Sequence, residues 1–257
     1  MAVSDEKVLS DAPIKMMTHI VCGYPDFESN ADLVKVMAKA GVSMVEIQLP
    51  FSDPLADGPS IMKANQQALS KGISTADCIR KSAEICAEVD IPVFFMTYAN
   101  IVFRYGFEKF LNDAAESGIA GLIVPDIPYD SPEGEIINLC GKYGLKYIPV
   151  ISPGMKKERL IKVAGLSSGV LYTTLRVGTT GSQKKISEEA LLYLNSIRKY
   201  TISEIAAGFG ISSPSHVAAL RGHADIAVIG SRILEIAEQE GVSAVGEFIS
   251  DCLRGSL

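Results

Sequence analysis

The stretch ADLVKVMAKAGVSMVEIQLP, residues 31–50, holds a helical pattern, a glycine and an apolar strand in direct succession. Leu33, Val34 and Met37 recur at the spacing of one helical face, and Gly41 stands where helix C-termini commonly place glycine. Met44, Val45, Ile47 and Leu49 then make the short aliphatic run of a buried strand. The same unit recurs along the chain. Strand candidates are THIVCG (18–23), MVEIQLP (44–50), PVFFMT (92–97), AGLIVPD (120–126), KYIPVI (146–151), GVLYTT (169–174), ISEIAAG (202–208) and DIAVIG (225–230). Between them lie helical patterns such as FEKFLNDAAESG, GEIINLCGKYG, EEALLYLNSIRKY and SHVAALRG, several closed by Gly118, Gly144 or Gly222. Apolar strands separated by single helices imply a parallel sheet buried on both faces. Eight such units without a linker or a break in composition imply an α/β protein, a single (β/α)8 TIM barrel domain over residues 1–257. A doubly wound open sheet is the alternative. It usually announces a G-x-G-x-x-G turn after the first strand, where this chain has CGYPDFES.

Composition narrows the function classes. The 257 residues are 47% hydrophobic and 21% charged, with a formal charge of −6 and no Lys/Arg-rich run, which argues against nucleic acid. An anionic ligand must therefore be held locally, by backbone amides or one or two cations. No apolar run has the length of a membrane span, and the start MAVSDEKVLSD lacks the apolar core of a signal peptide. Cys22, Cys78, Cys86, Cys140 and Cys252 are odd in number and scattered, as expected for reduced thiols in a cytoplasmic protein. His19, His216 and His223 share no ligand spacing, so no metal site is expected.

A barrel places its chemistry at the C-terminal ends of the strands, with phosphate near the last two. The segments 50–60 and 175–187 are long for βα loops, which marks them as lids or substrate loops. Glu46 lies inside a strand, and alternation sends it and Gln48 to one side, the aliphatics to the other. Which side is the lumen is open from this stretch alone. Glu46 is either a proton-transfer group with a raised pKa or an acid salt-bridged for structure. Asp57, in PLADGP, is either a second working carboxylate brought in by loop closure or a turn and capping residue. Asp53 is expected in the latter role. Glycine turns follow three consecutive strands in RVGTTGS (176–182), GFGISSPSH (208–216) and IGSRI (229–233), a pattern that lets backbone N–H groups approach phosphate oxygens. Tyr172 is a substrate contact or a packed tyrosine. His19, near the end of strand 1, is either a general base or a packed histidine; with no acid partner evident, the packed role is expected. No strand carries an embedded lysine of the Schiff-base type, so carbon–carbon cleavage here would run by acid/base chemistry.

VEIQLPFSDPLADGP, MTYANIVFRYGFEKF, GLIVPDIP, LYTTLRVGTTGS, GFGISSPSHV and VIGSRI, in this order over about residues 16–250, resemble the tryptophan synthase alpha chain family. The resemblance implies retro-aldol cleavage of indole-3-glycerol phosphate to indole and glyceraldehyde 3-phosphate, with no cofactor in this chain. It implies a PLP-dependent beta chain as partner, in an αββα assembly. Glu46 then matches the general acid/base, and Asp57 the aspartate that bonds the indole nitrogen. Tyr172 and Thr180 match substrate positions, Phe209, Ile61 and Met96 line the indole pocket, and Gly181, Gly210, Gly230 and Ser231 match the phosphate cradle. Asp53 falls in the segment that faces the partner.

Departures from the family pattern are Gln48 where glycine is typical, His19 where an aromatic is common, Val21-Cys22 for Thr-Ala, and Ser152-Pro153-Gly154 after strand 5. Gln48 would either hold Glu46 in one rotamer or crowd the site. An active lyase is expected; the alternative is an impaired barrel that mainly binds and activates the beta chain.

Overall fold

A computed structural model describes residues 13–54, 57–127, 129, 135–175, 185–208 and 210–255. In chain order the elements are β1 (Lys15–Val21), α1 (Phe27–Lys39), β2 (Met44–Gln48), α2 (Pro59–Ser70), α3 (Thr75–Cys86), β3 (Val93–Met96), α4 (Ala99–Tyr105), α5 (Phe107–Glu116) and β4 (Gly121–Ile123). They continue as α6 (Glu135–Lys142), β5 (Lys146–Tyr147), β6 (Val150–Ile151), α7 (Lys157–Ala164), β7 (Val170–Thr174) and α8 (Glu188–Arg198). The last are β8 (Glu204–Gly208), α9 (Pro214–Leu220), β9 (Ile226–Ile229), α10 (Ser231–Gln239) and α11 (Val242–Arg254).

Every strand pairing is parallel, in the order β5-β4-β3-β2-β1-β9-β8-β7-β6. The two ends of that order are the two halves of one barrel strand. Ile148 N–H donates to Leu122 O on the β4 side (2.9 Å), and Tyr172 N–H donates to Pro149 O on the β7 side (3.0 Å). The sheet therefore closes into an eight-staved barrel. KYIPVI, expected as one strand, is split because Pro149 has no N–H to give the ladder. The other strands start or stop one to three residues from expectation; β1 starts earlier, at Lys15, and ends before the turn at Gly23.

Strand alternation sorts the apolar side chains into two layers. Met17, Met44, Phe94, Ile148, Tyr172 and Val228 belong to the set that fills the lumen. Ile20, Val45, Ile47, Phe95, Leu122 and Ile205 belong to the larger set between sheet and helices. Each such fully buried side chain contributes about 1.5–3 kcal/mol against the entropy of ordering the chain.

Local chemistry sets the helix ends. Asp26 caps α1 by accepting from Ser29 N–H at 2.7 Å, and Ser74 with Asp77 forms a capping box at α3. Gly41, Gly118, Gly144 and Gly222 all have φ between +71 and +99°, the left-handed conformation expected where these helices stop. Among the described residues no helix is long and apolar enough to cross a membrane, and no cluster of His, Cys, Asp and Glu could hold a metal ion. All five cysteines are unpaired.

Candidate active site

Met44 joins the lumen layer while Val45 and Ile47 join the outer one, so alternation turns Glu46 and Gln48 into the barrel. Parallel register sets Glu46 level with His19 on β1 and Phe94 on β3, and Gln48 level with Val21 and Met96 one step further. Glu46 is 3% exposed. Its Oε1 accepts from His19 Nδ1 at 2.9 Å, and its Oε2 is buried with no protein partner among the described residues. His19, expected as a packed histidine without an acid partner, thus has one. Burial pulls its pKa down, but the hydrogen bond and charge of Glu46, then Asp57 and Gln48, outweigh that and raise it above 6.5.

Asp57 reaches the same cavity from the loop after β2. It is 4% exposed, and its Oδ2 accepts from Gln48 Nε2 at 2.7 Å and from the Tyr98 hydroxyl at 3.4 Å. Its side chain is not spent on starting a helix: the N-cap of α2 is Gly58, and no side chain caps it. Burial raises the Asp57 pKa, opposed by the Gln48 bond, the His19 charge and the Tyr98 bond. Gln48, expected to act on Glu46, therefore bonds the other carboxylate. The loop is anchored beside it, with the Phe51 ring stacked on Tyr98 (centroids 4.7 Å apart) and Phe51 N–H donating to Asn65 Oδ1 at 2.9 Å. Asp53 is exposed, accepts from the Ser52 hydroxyl at 2.6 Å and does not line the cavity.

A cavity of about 400 Å³ opens over these groups at the C-terminal end of the strands. Its apolar wall includes Ile61, Met96, Ile123 and Val150; His19, Glu46, Asp57 and Tyr172 form its polar floor. Gly210, Ser212, Gly230 and Ser231 line it as well. Gly210 has φ +99°, a conformation that side chains rarely adopt, and a Cβ on Gly230 would come 3.1 Å from His19 Cβ. Ser231 opens α10, whose N-cap Gly230 supplies no side-chain acceptor, so the first N–H groups are available to an anion. Arg232 lines the cavity too, with guanidinium nitrogens 3.7 Å from Glu235 and 3.8 Å from Glu240.

Tyr172 is buried and lines the cavity. A Cβ on Gly208 would come 2.5 Å from its hydroxyl, so only glycine leaves room for the ring on the adjoining strand. Burial, with the charges of Glu46 and Asp57, holds its pKa well above 10.0, so it stays a neutral donor. Of the expected site residues, Glu46, Asp57, Tyr172, Ile61, Met96, Gly210, Gly230 and Ser231 come together around this one cavity. Thr180, Gly181 and Phe209 lie outside the described residues. Sequence reasoning weighed His19 but missed its pairing with Glu46, and it did not single out Tyr98. The signal for His19 was its register opposite Glu46 on the neighbouring strand; Tyr98 carried none.

Residues 7–249 match the family described as tryptophan synthase alpha chain. The tryptophan synthase alpha chain of Desulfotalea psychrophila is 43% identical over 249 residues, covering 95% of this chain and 98% of the relative. That of Desulforapulum autotrophicum is 43% identical over 237 residues, covering 92% and 93%. The structure of Mycobacterium tuberculosis tryptophan synthase matches with a TM-score of 0.88 at 26% identity, covering 96% of this chain and 93% of that one.

Proposed function

This chain belongs to the tryptophan synthase alpha chain family, and from that premise we propose that its lumen cavity cleaves indole-3-glycerol phosphate with Glu46 and Asp57 as the working carboxylates. The family's alpha chains pair with a beta chain, and PLP belongs to that partner. We take the assembly to be αββα, the chain to act as one barrel domain, and the enzyme to be cytoplasmic, in keeping with five scattered unpaired cysteines.

The observation that carries the assignment is the pair of buried carboxylates facing one cavity from a rigid strand and from a loop. Protonating indole C3 turns the ring nitrogen into an iminium. Removing the proton from the adjoining carbinol hydroxyl forms the aldehyde, and the electrons of the breaking carbon–carbon bond return to the ring. One proton enters and one leaves, so a single carboxyl group can give the first and take the second. Glu46 lines the cavity and its Oε2 is without a protein partner among the described residues, which fits that role. Asp57 accepts from the indole N–H and offsets the positive charge that develops on nitrogen. Ile61, Met96 and Ile123 supply the apolar wall for the ring. Phosphate sits on the amides at Gly210, Gly230 and Ser231; by the family resemblance Gly181 belongs to the same cradle, Thr180 to the substrate positions and Phe209 to the indole pocket. No lysine is among the described residues lining the cavity, which supports acid/base chemistry over a Schiff base. Both carboxylates being retained in the cavity favours an active lyase over a purely regulatory subunit.

The test follows the proton. With glyceraldehyde 3-phosphate present in D2O, the protein should exchange the C3 hydrogen of indole. Glu46→Gln should slow exchange about a hundredfold or more, and Asp57→Asn should slow it as well. Exchange at the wild-type rate in Glu46→Gln would remove Glu46 from the mechanism.

A further inference from the structure

Glu46 does not stand alone in the lumen. His19 occupies the level row on β1 and donates from Nδ1 to Glu46 Oε1 at 2.9 Å, with both side chains buried. Its other nitrogen, Nε2, is buried, without a protein partner among the described residues, on a residue that lines the cavity. The ring is seated against the start of α10, since a Cβ on Gly230 would come 3.3 Å from its Cγ and 3.4 Å from its Cδ2. A histidine serving only as filler has its nitrogens satisfied by the surrounding fold. The hydrogen bond that its Nδ1 makes at 2.9 Å goes to the carboxylate assigned to the chemistry, and Gln48 stands beside the ring as well.

Resting on that assignment of Glu46, we propose that His19 is a positioning residue: its Nδ1–H pins Oε1, leaving Oε2 as the one oxygen that exchanges protons with the substrate. A carboxylate free to turn presents either oxygen at many angles, and small errors of aim at a reacting atom are costly in rate. A charge-assisted bond between two buried side chains is strong enough to hold one rotamer. It also keeps Glu46 apart from Asp57, which is held by Gln48. The groups facing the imidazole are Glu46 and Gln48 from β2 and Asp57 from the loop that follows. Tyr172 from β7 and Arg232 from α10 line the same cavity, Arg232 beside Glu235 and Glu240. These acids favour the charged ring against burial, as its raised pKa records.

The test compares wild type, His19→Phe, His19→Asn and Glu46→Gln in the full chain with a tryptophan synthase beta chain. Indole release from indole-3-glycerol phosphate is measured, together with the NMR titration of the His19 ring. Phenylalanine keeps the packing and removes Nδ1, so kcat should fall about tenfold to a hundredfold with KM nearly unchanged. Asparagine offers an N–H near the same place and should regain most of the lost kcat. The ring should titrate above 6.5 in wild type and lower in Glu46→Gln. That titration and His19→Asn carry the test if His19→Phe does not fold. Release at the wild-type rate in Glu46→Gln would sink the assignment of Glu46, and this proposal with it. With Glu46→Gln inactive, the assignment stands, and three results would each overturn the proposal alone: full kcat in His19→Phe, no recovery in His19→Asn, or a titration indifferent to Glu46→Gln.

Discussion

Two carboxylates equally withdrawn from water keep different company. Glu46 is bonded by His19, while Asp57 is bonded by the neutral amide of Gln48 and by Tyr98. Burial drives the Asp57 pKa above 3.8, and the Gln48 bond is the first force against that rise. The acid limb of kcat/KM should therefore lie above 3.8, measured as a pH profile of indole release. Gln48→Met, close in size but unable to donate, should move that limb further up; a limb left in place would show that Gln48 does not tune Asp57. His19 makes a prediction of opposite use, about stability. Its folded pKa is raised, so its contribution is fully present below the unfolded value of 6.5 and is lost as pH rises through the folded value. The excess stability of wild type over His19→Phe, from denaturant unfolding, should be greatest below pH 6.5 and shrink above it.

The elements hold these residues in place through joints that are short and specific. Asn30 ties the turn after β1: Gly23 N–H donates to its Oδ1 at 2.6 Å, and its Nδ2 donates to Tyr24 O (2.8 Å) and Val21 O (3.2 Å). Asn30→Ala leaves Gly23 N–H and Tyr24 O without this partner, while Val21 O keeps its bond from Tyr24 N–H, and should lower the unfolding free energy by about 2–4 kcal/mol in urea titrations. Gly121 sits on the β4–β5 seam, where a Cβ would come 2.2 Å from Lys146 O; Gly121→Ala should lower the melting temperature and open that seam. Most elements were legible in the chain because a βα unit announces itself locally, by an apolar run, an amphipathic run and a closing glycine. What was not legible is what lies between elements. Glu46 was visible as an oddity, but the side it faces depends on Met44 joining the lumen layer, and its partner His19 is set by the register of a different strand. Gln48 was visible as a departure, yet its target depends on where the following loop folds back. Pro149 was in plain sight within KYIPVI, but only barrel closure gives its missing N–H a consequence.

The whole barrel distributes its order unevenly. β1 and β2 sit mid-sheet with five paired positions, whereas β5 and β6 have two residues each at the closing strand. Native-state hydrogen exchange should release the amides of β5 and β6 before those of β1 and β2, and the reverse order would contradict a barrel closed at its weakest strand. The carboxylates sit on the well-paired side, with Glu46 on β2 and Asp57 just beyond it, so the proposed catalytic pair is mounted on the firm part of the sheet. The cavity above them is the place where every described candidate residue meets. The most direct measurement of that account is indole release from indole-3-glycerol phosphate by the wild-type chain and by Glu46→Gln, each alone and with a tryptophan synthase beta chain. The account predicts release by wild type, greater with the beta chain, and a loss of about a hundredfold or more in Glu46→Gln. No release by wild type in either setting, from a folded chain that still activates its partner, would contradict it.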